Sequence, residues 1–367
     1  MAQTLLAIAV LAVLAGWWFL RARPPAAPPP LPSARLRAAP PEHDDAPGPA
    51  AAAMPQQDDI ALPPPVALPL LAAEVLDEPR TAVIVEALRK LPRPPRTVHA
   101  LMSPDFVQTA TSAELAALVM GEPAVAARVV ATANSPLYAL QQQVTTVGQA
   151  ITFLGLNSVR QMCLQHMLAD CFKPRDAAHQ REFDVLWRAS SIAGELVQQL
   201  APRLRVAEPA SLVTLLVLSF LGRQAATALI DVADVDCMDA FQRASHEQLS
   251  LGLVSHELGH LLMRAWDVPL DLADDARNLS ALQFDPDRTV APERETALTL
   301  GALCALLGER IARGSVNGAL YDPMRDTSPD MAALRPRLSR PPLDALVQEL
   351  NAPAMLRVIS RLLNPPR

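Results

Sequence analysis

Residues His256 to His260 read HELGH, a spacing that sets two imidazoles one helical turn apart with a glutamate between them. On one helix face such a pair binds zinc, and the glutamate acts as general base towards a metal-bound water. Glu293 or Glu295 is available downstream as a third ligand. Helical phase argues against this chemistry. At about 100° per residue, Leu251, Val254, Leu258, Leu261, Leu262 and Ala265 gather on one side. His256 and His260 then fall opposite, beside Arg264 and Asp267, on a face expected to be solvated. Arg264 would also set a cation one turn from His260, and no sheet-forming segment is evident to sit above the motif. The four cysteines, Cys163, Cys171, Cys237 and Cys304, lack CxxC or any other short ligand spacing and sit in apolar stretches. They read as buried thiols of a reducing compartment.

The elements that would position these groups are helices. Thr111 and Glu114 form a capping box ahead of Leu115, Leu118 and Val119, and Gly121 closes that helix. Pro123 stands where a first helical residue belongs, followed by Val125, Val129 and Ala133, and Asn134, Ser135 and Pro136 end the run. Thr146 and Gln149 make a second box leading into Ile151, Phe153 and Leu154. After Gly155-Leu156-Asn157, one face carries Val159, Met162, Cys163 and His166, which makes His166 a core-edge histidine rather than a ligand. Two-residue alternation is absent. The chain reads as all-α.

Half of the 367 residues are apolar and 19% are charged, which allows a sizeable core, while aromatics at 4% disfavour a β-sandwich or barrel. A net charge of -6 offers no basic surface for phosphate backbones, so no nucleic acid is expected as partner. Thr4 to Leu20 is an uncharged apolar run spanning ~25 Å as a helix, with Trp17 and Trp18 at its end and Arg21, Arg23, Arg35 and Arg37 behind it. The expectation is a single-pass inner-membrane anchor with the remainder in the cytoplasm, since a cleaved signal peptide needs a basic start that Ala2 to Thr4 lacks. Ala22 to Pro69, rich in Pro and Ala, reads as a disordered spacer. A first helical stretch is expected over Leu70 to Leu88, interrupted at Pro79.

The residues beyond Leu91 resemble the HDOD family, a non-catalytic relative of the metal-dependent HD phosphohydrolases found in bacterial signalling proteins. The likeness is carried by LPRPPRTVHALM (Leu91 to Met102), EPAVAARVVATANSPLY (Glu122 to Tyr138) and VTTVGQAITFLGLNSVR (Val144 to Arg160). It continues at Trp187-Arg188-Ala189-Ser190 and over Glu257 to Arg277, with Glu257-Leu258-Gly259, Leu262, Trp266 and Pro269 at similar spacing. Ala297 to Arg313 resembles the closing helix. Within this resemblance the catalytic His-Asp pair would fall on Ser219-Phe220 or Val217-Leu218, inside the apolar stretch Leu212 to Ile230. A terminal histidine pair is replaced by Asn278 and Leu279, and another histidine by Ser255. None of these residues supplies the imidazole or carboxylate that a two-metal hydrolase needs.

The resemblance implies an all-α, multi-helix HDOD/HD-like bundle acting as a non-enzymatic signalling scaffold, with no cofactor, no metal and no small-molecule ligand. The expected organisation is an anchor at 1–21, a linker at 22–69, a pre-domain helical segment at 70–90, the HDOD-like domain at 91–313 and a helical tail at 314–367. The tail's apolar pieces, Leu343 to Leu350 and Met355 to Leu363, read as helices that pack on the domain or meet a partner. Asn134, Ser135, Tyr138, Arg160, Trp187 and Trp266 are the candidate interaction or structural residues, although Asn134 and Ser135 can serve simply as a cap and turn. Arg160, Arg188 and Arg264 read as surface charges whose stems cover apolar neighbours. A membrane-anchored zinc metalloprotease using His256, Glu257 and His260 is one alternative, and a residual HD-type phosphohydrolase is another. The partner is an unidentified signalling protein.

Overall fold

Tertiary packing follows from where the helices can approach one another closely. The computed structural model describes residues 67–135, 141–232, 238–316 and 321–363, and every regular element among them is helical. Four small helices open the array: α1 (Glu78–Arg89), α2 (Arg96–Met102), α3 (Pro104–Thr109) and α4 (Ser112–Met120). Then come α5 (Pro123–Ala133), α6 (Val147–Leu154), α7 (Leu156–Ala169) and the long α8 (Ala177–Arg203). The second half holds α9 (Pro209–Leu229), α10 (Ala240–Leu251), α11 (Ser255–Ala265), α12 (Leu270–Ala281) and α13 (Pro292–Ala312). α14 (Pro329–Leu338), α15 (Leu346–Leu350) and α16 (Pro353–Leu363) complete it.

Both capping boxes form, at Thr111 with Glu114 and at Thr146 with Gln149, and Pro123 opens α5. Val125, Val129 and Ala133 are buried as their four-residue spacing requires, whereas Phe153 is exposed. Pro79 does not interrupt a helix. It sits in the first turn of α1, where its missing N–H is no loss, and Asp77 caps that turn by accepting from the Arg80 amide at 2.9 Å. The anchor over Thr4 to Leu20 and all of the spacer up to residue 66 lie outside the described residues. The spacer's end is engaged, however: the Leu68 amide donates to the Phe284 carbonyl at 2.9 Å.

α8 and α13 form the central pair, flanked by α9, which packs in turn on α11 and α12. α9 is long and apolar enough to cross a membrane, yet 83% of its apolar window is buried inside the fold, so it is the core helix. α9 and α11 cross at Gly222 and Gly259. A Cβ on Gly222 would lie 1.9 Å from the Ser255 carbonyl, and one on Gly259 would lie 2.9 Å from the Gly222 backbone. The glycine of HELGH is therefore explained by helix packing, and this contact fixes the start of α11 against the middle of α9.

The segment beyond residue 313 shares the same core. Met331, Leu334, Leu343, Leu346, Leu350, Met355 and Leu362 are all buried in it, so the apolar pieces of the tail pack on the domain. Cys163, Cys171 and Cys304 are buried free thiols, and burial pushes Cys163 and Cys171 up to about 12. Cys237 falls outside the described residues.

Candidate functional site

The HELGH helix does not present its histidines to solvent. His256, Glu257 and His260 are 6%, 1% and 4% exposed, which corrects the expectation of a solvated face. The reason is a layer that helical phase cannot show. Residues 68–77, with α1 behind them, lie across the outer side of α11, so both faces of that helix are covered. The Ala73 amide donates to Glu257 Oε2 at 3.0 Å, and Gln248 accepts from the Leu71 amide at 2.7 Å. Arg277 on α12 ties the layer down. Its Nε donates to Glu257 Oε1 at 2.7 Å, and its two terminal nitrogens grip Glu74 at 2.9 and 3.0 Å. Hydrogen bonds from Arg277 hold the Glu74 carboxyl at about 2.

Glu257 and His260 are thus engaged by other side chains. Glu257 is a buried carboxylate already ion-paired with Arg277. His256 stacks on Phe284 at 6.0 Å, and its Nδ1 has no partner. Burial, with the charges of Arg288 and Arg277 adding to it, lowers His256 to about 3 and keeps it neutral. His260 Nε2 lies 2.8 Å from Asp274 Oδ1. Among the described residues no group of three His, Cys, Asp or Glu side chains is placed to hold a metal ion.

The positions aligned with the HD centre do come together. Ser219 and Phe220 of α9 and Ser255 of α11 line one cavity of about 30 Å³ with Ser280, Gln283 and Phe284. This is room for one or two water molecules. The Ser219 hydroxyl turns back onto its own helix, donating to the Leu216 carbonyl at 2.8 Å. Val217, Leu218 and Leu279 are buried apolar core, and Asn278 Oδ1 accepts from Arg288 Nε at 3.0 Å. These side chains do not fit a pair of divalent metals.

What stands beside the cavity is a guanidinium. Arg223, one turn beyond Ser219, donates both terminal nitrogens to Glu309 of α13 at 2.8 and 2.9 Å. Glu309 also pairs with Arg243 at 2.7 Å and with Arg313 at 2.8 Å, while Arg313 grips Glu182 and Arg223 lies 3.9 Å from Glu247. All six side chains are largely buried. Burial alone would raise the Glu309 carboxyl, but the charges of Arg223 and Arg243 outweigh it and hold it well below the usual range. Glu247 is the reverse case: burial pushes it up despite Arg223, and it accepts from the Ser255 amide at 2.8 Å. Burial lowers Arg243 to about 10, and its Nε and Nη1 lack partners. Sequence reasoning missed this cluster. A signal was present: Arg223 is the sole charge in LVTLLVLSFLGRQAATALI, and Glu309 follows the apolar run LGALCALLG.

Of the other singled-out residues, Arg160 is a correction. It is fully buried rather than a surface charge, because its head reaches polar groups inside the fold. Nη1 donates to the Leu101 carbonyl at 3.1 Å and to Thr214 at 2.7 Å, and Nη2 to the Ala210 carbonyl at 2.7 Å, tying α7 to α2 and α9. Asn134 clamps the far end of its loop, donating to the Val144 carbonyl at 2.7 Å and accepting from the Val144 amide at 2.8 Å. Ser135 follows in the turn, its amide bonded to the Thr132 carbonyl, and Tyr138 lies outside the described residues. Trp187 is half-buried, and Trp266 is buried against Phe172 at 6.0 Å. Arg188 and Arg264 are exposed. His166 is half-buried at 3.3 Å from Thr132, and burial lowers its imidazole.

Residues 91–281 match the HDOD domain family. No curated protein matches the chain. An HDOD domain protein of unknown function from Geobacter sulfurreducens is similar at 17% identity, covering 78% of this chain and 99% of its own, with a TM-score of 0.53. A candidate phosphohydrolase from Shewanella amazonensis SB2B is 18% identical over 77% of this chain and 98% of its own, with a TM-score of 0.47. The MmoQ response regulator from Methylococcus capsulatus is 23% identical over 75% of this chain and 98% of its own, at 0.34.

Proposed function

Because the chain belongs to the HDOD domain family, we propose that it is a non-enzymatic regulatory module of bacterial signal transduction that works through protein contacts. The observation that supports this reading is an internal ion cluster beside the positions that align with the HD centre. Ser219, Phe220 and Ser255 surround a cavity too small for a nucleotide, and the Arg223 guanidinium, fixed by Glu309, is the cation beside it. Hydrolysis in HD enzymes needs a water activated between metals, and serine and phenylalanine cannot hold those metals.

The same reading places the module at the inner membrane through Thr4 to Leu20, with the folded part cytoplasmic. A reporter fused after Arg367 should behave as cytoplasmic, and an active periplasmic reporter there would remove this part of the proposal. The non-enzymatic part is tested by incubating the full-length chain with Mn²⁺, Mg²⁺ or Zn²⁺ and with cyclic or linear dinucleotides. No turnover is expected. Metal-dependent hydrolysis abolished by Ser219→Ala or Ser255→Ala would overturn it in favour of an HD-type phosphohydrolase.

A further inference from the structure

Many of the arginines among the described residues are matched by a carboxylate, including Arg277, Arg294, Arg310, Arg313 and Arg337. A groove of about 470 Å³ runs between α1 and the end of α11, and Arg89, Arg93 and Arg264 line it with Asp267 as the one carboxylate. Arg93 is engaged, donating to Asp267 at 2.9 Å and to the Ala265 carbonyl at the end of α11. Arg89 and Arg264 are exposed and, among the described residues, their side chains make no hydrogen bond or ion pair. Three guanidinium groups against one carboxylate leave two uncompensated positive charges at a single concave site, on a chain whose net charge is -6. Lys90 and Arg96, both exposed, continue the basic edge along the sequence LRKLPRPPR. Leu91 and Leu261, both half-buried, line the same groove.

We propose that this groove docks an acidic peptide segment of a partner protein, one that sets Asp or Glu side chains beside an apolar residue. The proposal rests on the reading of the chain as a protein-interaction module and names the chemistry of its partner. Exposed, unpaired guanidinium groups bind carboxylates with charge-assisted hydrogen bonds, and their planar fork suits two oxygens at once. Leu91 and Leu261 offer apolar contact to a neighbouring side chain of the peptide. A concave site flanked by two helices favours a chain segment over a planar lipid surface, which meets flat or convex basic faces.

The test is fluorescence anisotropy of a short labelled peptide mixing Glu and Leu, titrated with the full-length chain, beside its counterpart with Gln for Glu. The Glu peptide is expected to bind and the Gln peptide not. Affinity should fall as salt is raised, since these charges are exposed. The double variant Arg89→Glu/Arg264→Glu should weaken binding by about tenfold or more. Asp267→Asn removes the lining carboxylate at a backbone φ of 59°, a conformation asparagine tolerates, and should tighten binding several-fold. Equal affinity for both peptides, no binding, or indifference to the double variant would overturn the proposal. Binding to phosphatidylglycerol vesicles in place of the peptide would reassign the groove to a lipid surface. None of these outcomes touches hydrolysis, so failure here leaves the non-enzymatic reading standing, and metal-dependent turnover would remove that reading without bearing on peptide affinity.

Discussion

Replacing Glu309 by Gln isolates what the buried cluster contributes. The substitution keeps the shape and removes one charge that three guanidinium groups share. Oε2 accepts from Arg223, while Oε1 faces Arg223, Arg243 and Arg313, so both oxygens are occupied. The amide nitrogen of Gln must therefore point at an N–H donor whichever way it turns. Three arginines would remain with Glu182 and Glu247, and Glu247 is itself pushed towards its neutral form. Breaking a buried ion pair by removing one partner costs about 3–5 kcal/mol. That is a large share of the ~5–15 kcal/mol by which a domain is ordinarily stable. The assay is urea unfolding of wild type and Glu309→Gln followed by circular dichroism, at neutral pH and again near pH 4. Because the folded carboxyl lies below its unfolded value of 4.5, its contribution is complete above that pH and is lost as pH falls through the folded value. The deficit of the variant should therefore be full at neutral pH and shrink on acidification. A deficit under about 1 kcal/mol at neutral pH, the size of an exposed pair, would refute the view that Glu309 is a buried carboxylate holding three arginines.

Other substitutions test the layer over α11. His260→Ala should cost about 1–3 kcal/mol, because it removes a buried imidazole and its hydrogen bond to the half-exposed Asp274, and Leu262→Ala about 2–5 kcal/mol; urea unfolding reads both, and a negligible loss at His260 would return it to the surface. Gly222→Ala should destabilise by about 3 kcal/mol or more, since the new Cβ meets the Ser255 carbonyl, and an unchanged melting curve would contradict the helix crossing. His256 is held neutral by burial, with a folded value of about 3 against 6.5, so its contribution is complete above pH 6.5 and is lost progressively towards pH 3. His256→Phe should flatten that dependence by up to about 1.4 kcal/mol per pH unit, read from unfolding at a series of pH values; an unchanged slope would mean the imidazole titrates normally.

Local signals were the legible part of this fold. Capping boxes at Thr111 and Thr146, the proline opening α5 and the spacing of Val125, Val129 and Ala133 each specify a helix from a few neighbouring residues. The family likeness was legible in the stretch ending at Ala-Asn-Ser, and Asn134 explains part of it by bonding both backbone groups of Val144. What the sequence could not show was which helix faces are covered from outside the repeat of one helix. The phase of α11 correctly buried Leu258 and Leu262, but nothing in it announced that residues 68–77 would bury His256 and His260 as well. Arg160 failed for the same reason: its acceptors, Leu101, Ala210 and Thr214, come from two other helices. Pro79 was a misread of position, since proline in a first turn starts a helix and one turn later breaks it.

The function proposed for this chain requires that Ser219, Phe220 and Ser255, beside the arginine-glutamate cluster, hold no metal. Its most direct test is the metal content of the purified full-length chain, loaded with Mn²⁺ or Zn²⁺, desalted and measured by inductively coupled plasma mass spectrometry. The account predicts far less than one equivalent per chain, unchanged by substitution at Ser219, Ser255 or His256. Metal near one equivalent or more, lost on substituting those residues, would contradict it.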